Sequence, residues 1–388
     1  MIRGEHFGND EVSNALSGPR VGEVSLDLSK ANGFSARALG PGFHSARVKP
    51  ASSTSNLPRL DGHVHLVGNG LAGSACWIRM SGWHRFMGKM MNRMIQMPVG
   101  FDDAGFDGIY VERLRKQVDE SSLDQVLLLA QDEVYRPDGN KRDFGSFHVP
   151  NDYLFSVCEA HPCFLPAASI HPARRDALDE LDRCLARGAR ALKLLPNCHD
   201  VDCGLPQYEP FWEKMAEAGL PLLAHTGGEM TVPVANKLYE SPAYLRRPLE
   251  LGVKVIAAHC ASNSSLWDED YFGLLLEMMH KFPNLYADTS ALNTPFRSAA
   301  LGKVLDCELA ERFVHGSDFP VPVGAWYARF RGLIDGRTRA RAARIGNLIE
   351  RDFMLKTEMG FDDGHFTRLG AVLRTLPDAG IPLEFGSS

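Results

Sequence analysis

The 388-residue chain contains no apolar stretch of roughly 18 residues, which is the length that a membrane-spanning helix requires. Residues 1–56 are rich in glycine, serine and asparagine and lack the apolar run of a secretory signal peptide. We therefore expect a cytoplasmic protein without a membrane partner.

Clusters of basic residues are absent as well. The 48 acidic and 42 basic side chains are scattered along the chain and give a formal net charge of -6. Binding of nucleic acid or of an anionic membrane would need concentrated positive charge. The composition, 44% hydrophobic and 23% charged, is that of an ordinary globular protein. We expect the partner to be a small-molecule substrate.

The eight cysteines form no CxxC pair and are distributed singly along the chain. Because the chain is also far longer than a small disulfide scaffold, we expect reduced thiols that mostly pack in the interior. Cys260 directly follows a histidine, and a nucleophilic role is the alternative interpretation there. We favour a small apolar side chain at a strand end and leave Cys260 out of the site.

Short apolar segments alternate with longer amphipathic ones from Pro58 onward, which is the pattern of repeated βα units around a parallel sheet. The apolar segments lack a clean two-residue alternation, as expected for strands that are buried on both faces. The eight predicted strands span residues 59–66, 125–131, 164–170, 189–195, 221–225, 254–259, 284–289 and 312–316.

The connections between these strands are long enough for crossover helices. Apolar residues recur there at spacings of three and four, for example over 174–187, 208–218 and 266–282. Eight βα units close most economically as a (β/α)8 TIM barrel, an α/β fold. An open doubly wound sheet is the alternative, but no GxGxxG follows the first strand. We predict an N-terminal extension over 1–56 and a barrel domain over 57–388.

One connection is unusually long. Residues 68–103, called the insertion below, follow strand one and contain Trp77, Trp83, Phe86 and six methionines. The insertion either packs on the barrel rim or against a second subunit in a homodimer, or it forms a lid over the catalytic mouth. Methionines and aromatic side chains suit the wall of an adaptable apolar pocket. The chain after Asp318 is predicted to form the last barrel helix and a C-terminal helical extension that covers one end of the barrel.

Residues that bind metals occur at the predicted C-terminal ends of the strands, the face from which this fold takes its catalytic groups. His63 and His65 end strand one, and because residues two apart on a strand share a face, both imidazoles point into the barrel. The other candidates belong to strands four, five, six and eight: Lys193, His225, His259 and Asp318. Four histidines and an aspartate suit a divalent metal, with zinc as the first choice and manganese or iron as alternatives.

These motifs resemble those of the amidohydrolase superfamily, specifically its amidohydrolase-related branch of metal-dependent hydrolases and decarboxylases. The resemblance covers roughly residues 57–322 and includes the HxH of strand one. The other motifs that carry it are Ala-Leu-Lys193-Leu-Leu-Pro, Ala-His225-Thr-Gly-Gly-Glu, Ala-Ala-His259-Cys and Gly-Ser-Asp318-Phe-Pro. Together they are specific for the superfamily and unspecific for a substrate.

The resemblance implies a role for each of these residues. His63, His65 and Asp318 would hold a metal, and His225 would complete its shell. Asp318 would also accept the proton of the activated water and pass it to the leaving group. His259 would bind a second metal or polarise the substrate oxygen.

Lys193 bears on the number of metals. In two-metal relatives a lysine on strand four is carboxylated and bridges the ions, whereas an unmodified ammonium would anchor a substrate carboxylate. A third interpretation extends Lys193 to the rim of the barrel as a solvated side chain. We therefore expect one or two metals per chain, with a carboxylated Lys193 in the two-metal case.

Three further residues are candidates for substrate binding. Arg297, after strand seven, has the guanidinium geometry to clamp a carboxylate. Glu229 follows His225 by four residues, and His171 either contacts substrate or caps the next helix. The leading function is hydrolysis of an amide, cyclic amide, lactone or ester by metal-activated water. The alternatives are a non-oxidative decarboxylase of an aromatic or unsaturated carboxylic acid and a catalytically silent ligand-binding barrel.

Overall fold

The computed structural model describes residues 57–375. The predicted N-terminal extension, residues 1–56, lies outside the described residues, as do residues 376–388. The domain boundary at residue 57 therefore stays a prediction.

Eight parallel strands follow one another in chain order around a barrel. They are β1 (Leu60–His65), β2 (Gln125–Leu129), β3 (Phe164–Ser169), β4 (Ala191–Leu194), β5 (Leu222–Ala224), β6 (Val255–Ala257), β7 (Leu285–Asp288) and β8 (Phe313–Val314). Each lies within the segment predicted for it. In β2, Leu127 and Leu129 face the barrel interior, whereas Leu128 faces the surrounding helices, so both faces are buried.

Backbone hydrogen bonds between β1 and the segment after β8 close the barrel. The N–H of His65 donates to the carbonyl of Phe319 over 2.8 Å, and the N–H of Asp318 donates to the carbonyl of His63 over 2.9 Å. The predicted (β/α)8 TIM barrel is confirmed, and the open doubly wound sheet is excluded.

Helices surround the strands and continue past β8. They are α1 (Gly82–Met94), α2 (Phe106–Asp119), α3 (Asn151–Ala160), α4 (Ala177–Ala186), α5 (Pro196–His199), α6 (Glu209–Glu217), α7 (Arg246–Glu250), α8 (Phe272–Lys281), α9 (Ala299–Leu305), α10 (Ala325–Phe330), α11 (Gly336–Ala343), α12 (Leu348–Met359), α13 (Asp363–Thr367) and α14 (Leu369–Val372). Between residues 57 and 375, none of them has the length and hydropathy that crossing a bilayer demands.

The helix predicted over 266–282 begins only at Phe272, so its predicted start is wrong. The cause is a local turn in which the Asp268 carboxylate accepts hydrogen bonds from the hydroxyls of Ser264 and Ser265, both over 2.8 Å. Such side-chain bonds compete with helix formation.

His259 does not end strand six as predicted. It lies in a turn, Ala258–Ala261, where its φ is 59°, in the left-handed region. A residue with a Cβ rarely adopts this conformation, which costs on the order of 1–3 kcal/mol. An apolar strand pattern contains no signal for such a turn.

The C-terminal helical extension closes one end of the barrel, as predicted. Leu369 and Val372 of α14 pack with Leu60, at the start of β1, in the barrel interior. The N–H of Arg374 donates to the carbonyl of Arg190, which precedes β4, over 3.1 Å. These contacts cover the N-terminal ends of the strands and leave the C-terminal ends for the site.

Lys356 of α12 is a fully buried cation that links this helix to the ends of β7 and β8. Its Nζ donates to the carbonyls of Thr289 over 2.9 Å and of Gly316 over 2.7 Å, and it lies 2.6 Å from the Asp352 carboxylate. Both charged side chains are 0% exposed. The pair therefore ties the last large helix to the face that carries the candidate site.

Replacing Lys356 with methionine should destabilise the protein by about 3–5 kcal/mol, because it leaves the Asp352 charge buried and unpaired. Equilibrium unfolding in urea measures this loss. Removing both charges, with Lys356→Met and Asp352→Leu together, should restore much of the stability.

The control is Arg341→Met. This substitution breaks the exposed ion pair between Arg341 of α11 and Glu358 of α12, the helix that carries Lys356. An exposed pair contributes less than about 1 kcal/mol. Equal losses in the Lys356 and Arg341 variants would contradict the role given to the buried cation.

Candidate metal centre

Two histidines of β1 and one aspartate beyond β8 bring three ligand atoms to one point. His63 Nε2 and His65 Nε2 each lie 3.2 Å from Asp318 Oδ1. Asp61 Oδ1 links the two chain segments, because it accepts hydrogen bonds from the N–H of His63 over 3.0 Å and of Ser317 over 2.8 Å. The backbone bonds that close the barrel thus also set the spacing of the three side chains.

The chemistry of these side chains fits a divalent metal. The three ligand atoms lie within 4.8 Å of one another, so one cation can contact all of them. Burial, followed by the charge of Lys193, holds the pKa of His63 well below its usual range, and the neutral ring offers a lone pair to a metal. In the described chain His225 Nε2 is buried without a hydrogen-bond partner, a rare state that a bound cation would relieve.

Asp288, at the end of β7, is the site residue that the sequence interpretation missed. Its Oδ2 accepts a hydrogen bond from His63 Nδ1 over 2.8 Å, and its Oδ1 accepts from the backbone N–H of His259 and of Ser290. This carboxylate directs His63 Nε2 toward Asp318, as proteins commonly orient histidine ligands. The available signal was a single acidic residue that ends the apolar strand Leu-Tyr-Ala-Asp.

Asp288 also belongs to a second group of possible ligands, with His63 and His259. Its oxygens already accept two backbone N–H groups, His63 Nδ1 and the Ser290 hydroxyl. We therefore assign Asp288 to the orientation of His63.

His225 and His259 form a second pair of imidazoles beside the first. His259 Nε2 lies 3.2 Å from His225 Nδ1. Burial lowers the pKa of His225 to about 4 and holds that of His259 well below its usual range, so both rings are neutral at pH 7.

Glu229 Oε2 lies 3.5 Å from His225 Nδ1. Burial alone would raise the pKa of Glu229, but His225 and hydrogen bonds from Thr231 keep it below its ordinary value.

Lys193 of β4 is buried next to the three ligand atoms. Its Nζ lies 3.0 Å from His63 Nε2, and its side chain is among those that line the cavity. Burial lowers the pKa of Lys193 to about 8, although the carboxylates of Asp318 and Asp288 oppose this shift. The neutral amine, which carboxylation requires, and the ammonium are therefore both populated near neutral pH.

The structure does not bring His171 and Arg297 to the cavity lining at this centre. His171 Nε2 donates to the carbonyl of His199 over 2.9 Å, assuming the tautomer that protonates this nitrogen. Arg297 is 5% exposed, and its guanidinium donates to the carbonyls of Ser262 and Gly228. Arg297 thus connects the loops after β5 and β6. Of the three predicted substrate-binding residues, only Glu229 lines the cavity.

The insertion forms one wall of the cavity. The residues that it contributes are Met80, His84, Met87, Gly88 and Met91. Trp83 Nε1 donates to the carbonyl of Met230 over 3.2 Å and so joins α1 to the loop after β5. This position over the strand ends is the one that the lid interpretation requires.

Several solved structures are similar to this chain at low sequence identity. A putative 2-pyrone-4,6-dicarboxylic acid hydrolase from Pseudomonas putida is 18% identical, covers 79% of this chain and 100% of its own, and has a TM-score of 0.45. IDCase from Metarhizium anisopliae is 12% identical over 83% and 98%, with a TM-score of 0.48. A 5-carboxyvanillate decarboxylase from Novosphingobium aromaticivorans is 11% identical over 79% and 98%, with a TM-score of 0.42. No curated protein matches this sequence.

A family model described as Amidohydrolase matches residues 61–345. The match begins within β1 and extends beyond β8, so it includes every metal ligand that the sequence suggested. The resemblance inferred from the strand-end motifs is confirmed. This chain belongs to the amidohydrolase family.

Proposed function

We propose that the protein is a metal-dependent hydrolase that cleaves a C–N or C–O bond in an amide, cyclic amide, lactone or ester. The observation that carries the proposal is the meeting of His63 Nε2, His65 Nε2 and Asp318 Oδ1 at the edge of a cavity. Imidazole nitrogens and a carboxylate oxygen, next to space for a substrate, are the parts that metal-assisted hydrolysis needs.

We assign a divalent metal to His63, His65 and Asp318, with His225 as a further ligand. Zinc is the first choice for this donor set, and manganese or iron can use the same side chains. A metal at such a site supplies Lewis acidity and lowers the pKa of water to near neutrality. A second metal requires the carboxylated form of Lys193 in this proposal.

Asp318 has a second role as proton acceptor. Burial raises the pKa of this carboxyl above its ordinary value, which makes the carboxylate a better base near neutral pH. The same group then returns the proton to the leaving nitrogen or oxygen. His259 is 3% exposed and lines the cavity, where its ring can stabilise the oxygen on which negative charge develops.

Decarboxylation is the alternative function, and it needs a group that holds a substrate carboxylate. Arg297 was the first candidate, but its guanidinium is bonded to the backbone of two loops. Lys193 is the remaining lysine or arginine on the described cavity wall. Release of carbon dioxide from an aromatic acid, without any hydrolytic turnover, would favour this alternative.

The metal content of the purified protein tests the ligand assignment. Protein purified without chelator should contain about one or two metal ions per chain by elemental analysis, and His63→Ala combined with His65→Ala should remove most of it. Because metal binding adds to folding free energy, chelation should also lower the unfolding temperature. The control is His280→Ala, an exposed histidine paired with Glu308. Equal metal content in both variants would contradict the ligand assignment.

Replacing Asp318 with asparagine should lower hydrolytic turnover by about 10²–10⁴-fold, because the amide keeps the shape of the side chain and cannot accept the proton. Cyclic amides, lactones and esters are the screening set. Metal analysis of the same sample separates loss of the base from loss of a ligand. Near-normal turnover of Asp318→Asn would be incompatible with the assigned role.

Asp288→Asn tests the orientation of His63. Loss of the carboxylate should weaken metal binding by about 10–100-fold, measured by competition with a chelator, while the fold is retained. Asp306→Asn, at an exposed aspartate beyond α9, is the matched control. If the two variants bind metal equally well, Asp288 does not orient the site.

A further inference from the structure

Helix α1 of the insertion presents one ionisable side chain to the cavity. The helix residues that line the cavity are His84, Met87, Gly88 and Met91, at spacings of three and four, so they lie on one face. Met80 precedes the helix on the same wall. Apart from His84, this wall is formed by methionines and a glycine.

Contacts on both sides of His84 hold the wall in place. Trp83, its neighbour, is bonded to the Met230 carbonyl in the loop after β5. Gly88 is buried so closely that a Cβ there would lie 2.7 Å from Met80 Sδ and 3.1 Å from Phe101. The imidazole of His84 is therefore held at the cavity by a packed helix.

His84 is half-buried, and its side chain has no hydrogen-bond or ion-pair partner within residues 57–375. An imidazole against methionine side chains loses water on that side, and this loss is unfavourable unless a hydrogen bond replaces it. A bound ligand can supply this bond from inside the cavity.

Other polar side chains of the cavity have partners in the protein or, as for His225 Nε2, are assigned to the metal. Glu229 Oε1 accepts hydrogen bonds from the backbone N–H and the hydroxyl of Thr231. Lys193 contacts His63 at the strand ends. His84 is thus the polar side chain that the insertion contributes to the cavity wall. Its hydrogen-bonding capacity is available to a ligand.

We propose that His84 is a specificity-determining residue that donates a hydrogen bond to a carboxylate or carbonyl oxygen of the substrate. This oxygen lies on the part of the substrate that faces the insertion, and the apolar body of the substrate lies against Met80, Met87 and Met91. The inference rests on the proposed function, because it takes the strand ends as the reacting end of the cavity. The substrate class is then an apolar molecule with an acceptor group remote from the bond that is cleaved.

The test measures binding by calorimetric titration with three para-substituted benzoates. They are 4-methylbenzoate, 4-carbamoylbenzoate and terephthalate. Their common carboxylate is directed to the metal at the strand ends, so they differ in the para group that meets His84. The protein with its natural His84 should bind 4-carbamoylbenzoate and terephthalate at least about tenfold more tightly than 4-methylbenzoate. In His84→Leu this preference should fall to about twofold or less, and 4-methylbenzoate should bind at least as well as before.

Two further variants make the result specific. His84→Gln keeps a donor and should retain the preference for 4-carbamoylbenzoate. Lys89→Leu changes an exposed residue of the same helix and should leave all three affinities unchanged. An unchanged preference in His84→Leu, or no binding of any of the three acids, would overturn the proposal.

Titrations of metal-loaded and of chelator-treated protein separate this inference from the proposed function. Failure of the chain to bind metal would count against metal-dependent hydrolysis. A preference that does not depend on His84, in either form of the protein, would count against the specificity role alone.

Discussion

Closure of the barrel is the constraint on which the candidate site depends. The hydrogen bonds that join β1 to the segment after β8 involve all three residues that carry the proposed ligands, namely His63, His65 and Asp318. His63 and Asp318 are far apart in the chain, and the bond from the Asp318 N–H to the His63 carbonyl fixes them as neighbours. Any distortion at this seam would therefore move the two histidines of β1 relative to the aspartate.

Buried groups behind the seam extend this constraint. Asp61 connects the backbone of β1 to that of Ser317, and Lys356 connects the ends of β7 and β8 to α12. Asp288 completes the arrangement by holding the His63 ring from the side away from Asp318. The positions of the three proposed ligands at the edge of the cavity thus depend on the buried side chains of Asp61, Asp288 and Lys356.

Much of this architecture was predictable from sequence because a parallel barrel imposes a simple pattern. Apolar segments that alternate with amphipathic ones located all eight strands, and the same-face rule for residues two apart placed His63 and His65 together. The rule that catalytic groups occupy the C-terminal strand ends then grouped Lys193, His225 and Asp318 with them.

The remaining features depend on contacts between distant segments. Asp288 resembles any acidic residue at the end of a strand until its hydrogen bond to His63 is seen. The left-handed turn at His259 leaves the strand pattern unchanged. Arg297 follows strand seven as expected, but its guanidinium donates hydrogen bonds to backbone carbonyls in the loops after β5 and β6. The local sequence pattern cannot predict which polar side chains form their hydrogen bonds within the protein and which remain available to a ligand.

The insertion and the barrel contribute different parts of the cavity. The barrel supplies the proposed metal ligands, whereas α1 supplies a methionine wall with His84 in it. In our proposal specificity comes from the insertion, because the proposed reacting groups and the proposed recognition group belong to different parts of the chain. The two functions can therefore be tested by independent substitutions.

We propose that a metal is bound between His63, His65 and Asp318. Anomalous diffraction from a zinc-loaded crystal, recorded on both sides of the zinc absorption edge, tests it most directly. We expect a peak about 2.0–2.2 Å from His63 Nε2, His65 Nε2 and an oxygen of Asp318. A zinc peak at other residues, or no peak between these three side chains, would contradict it.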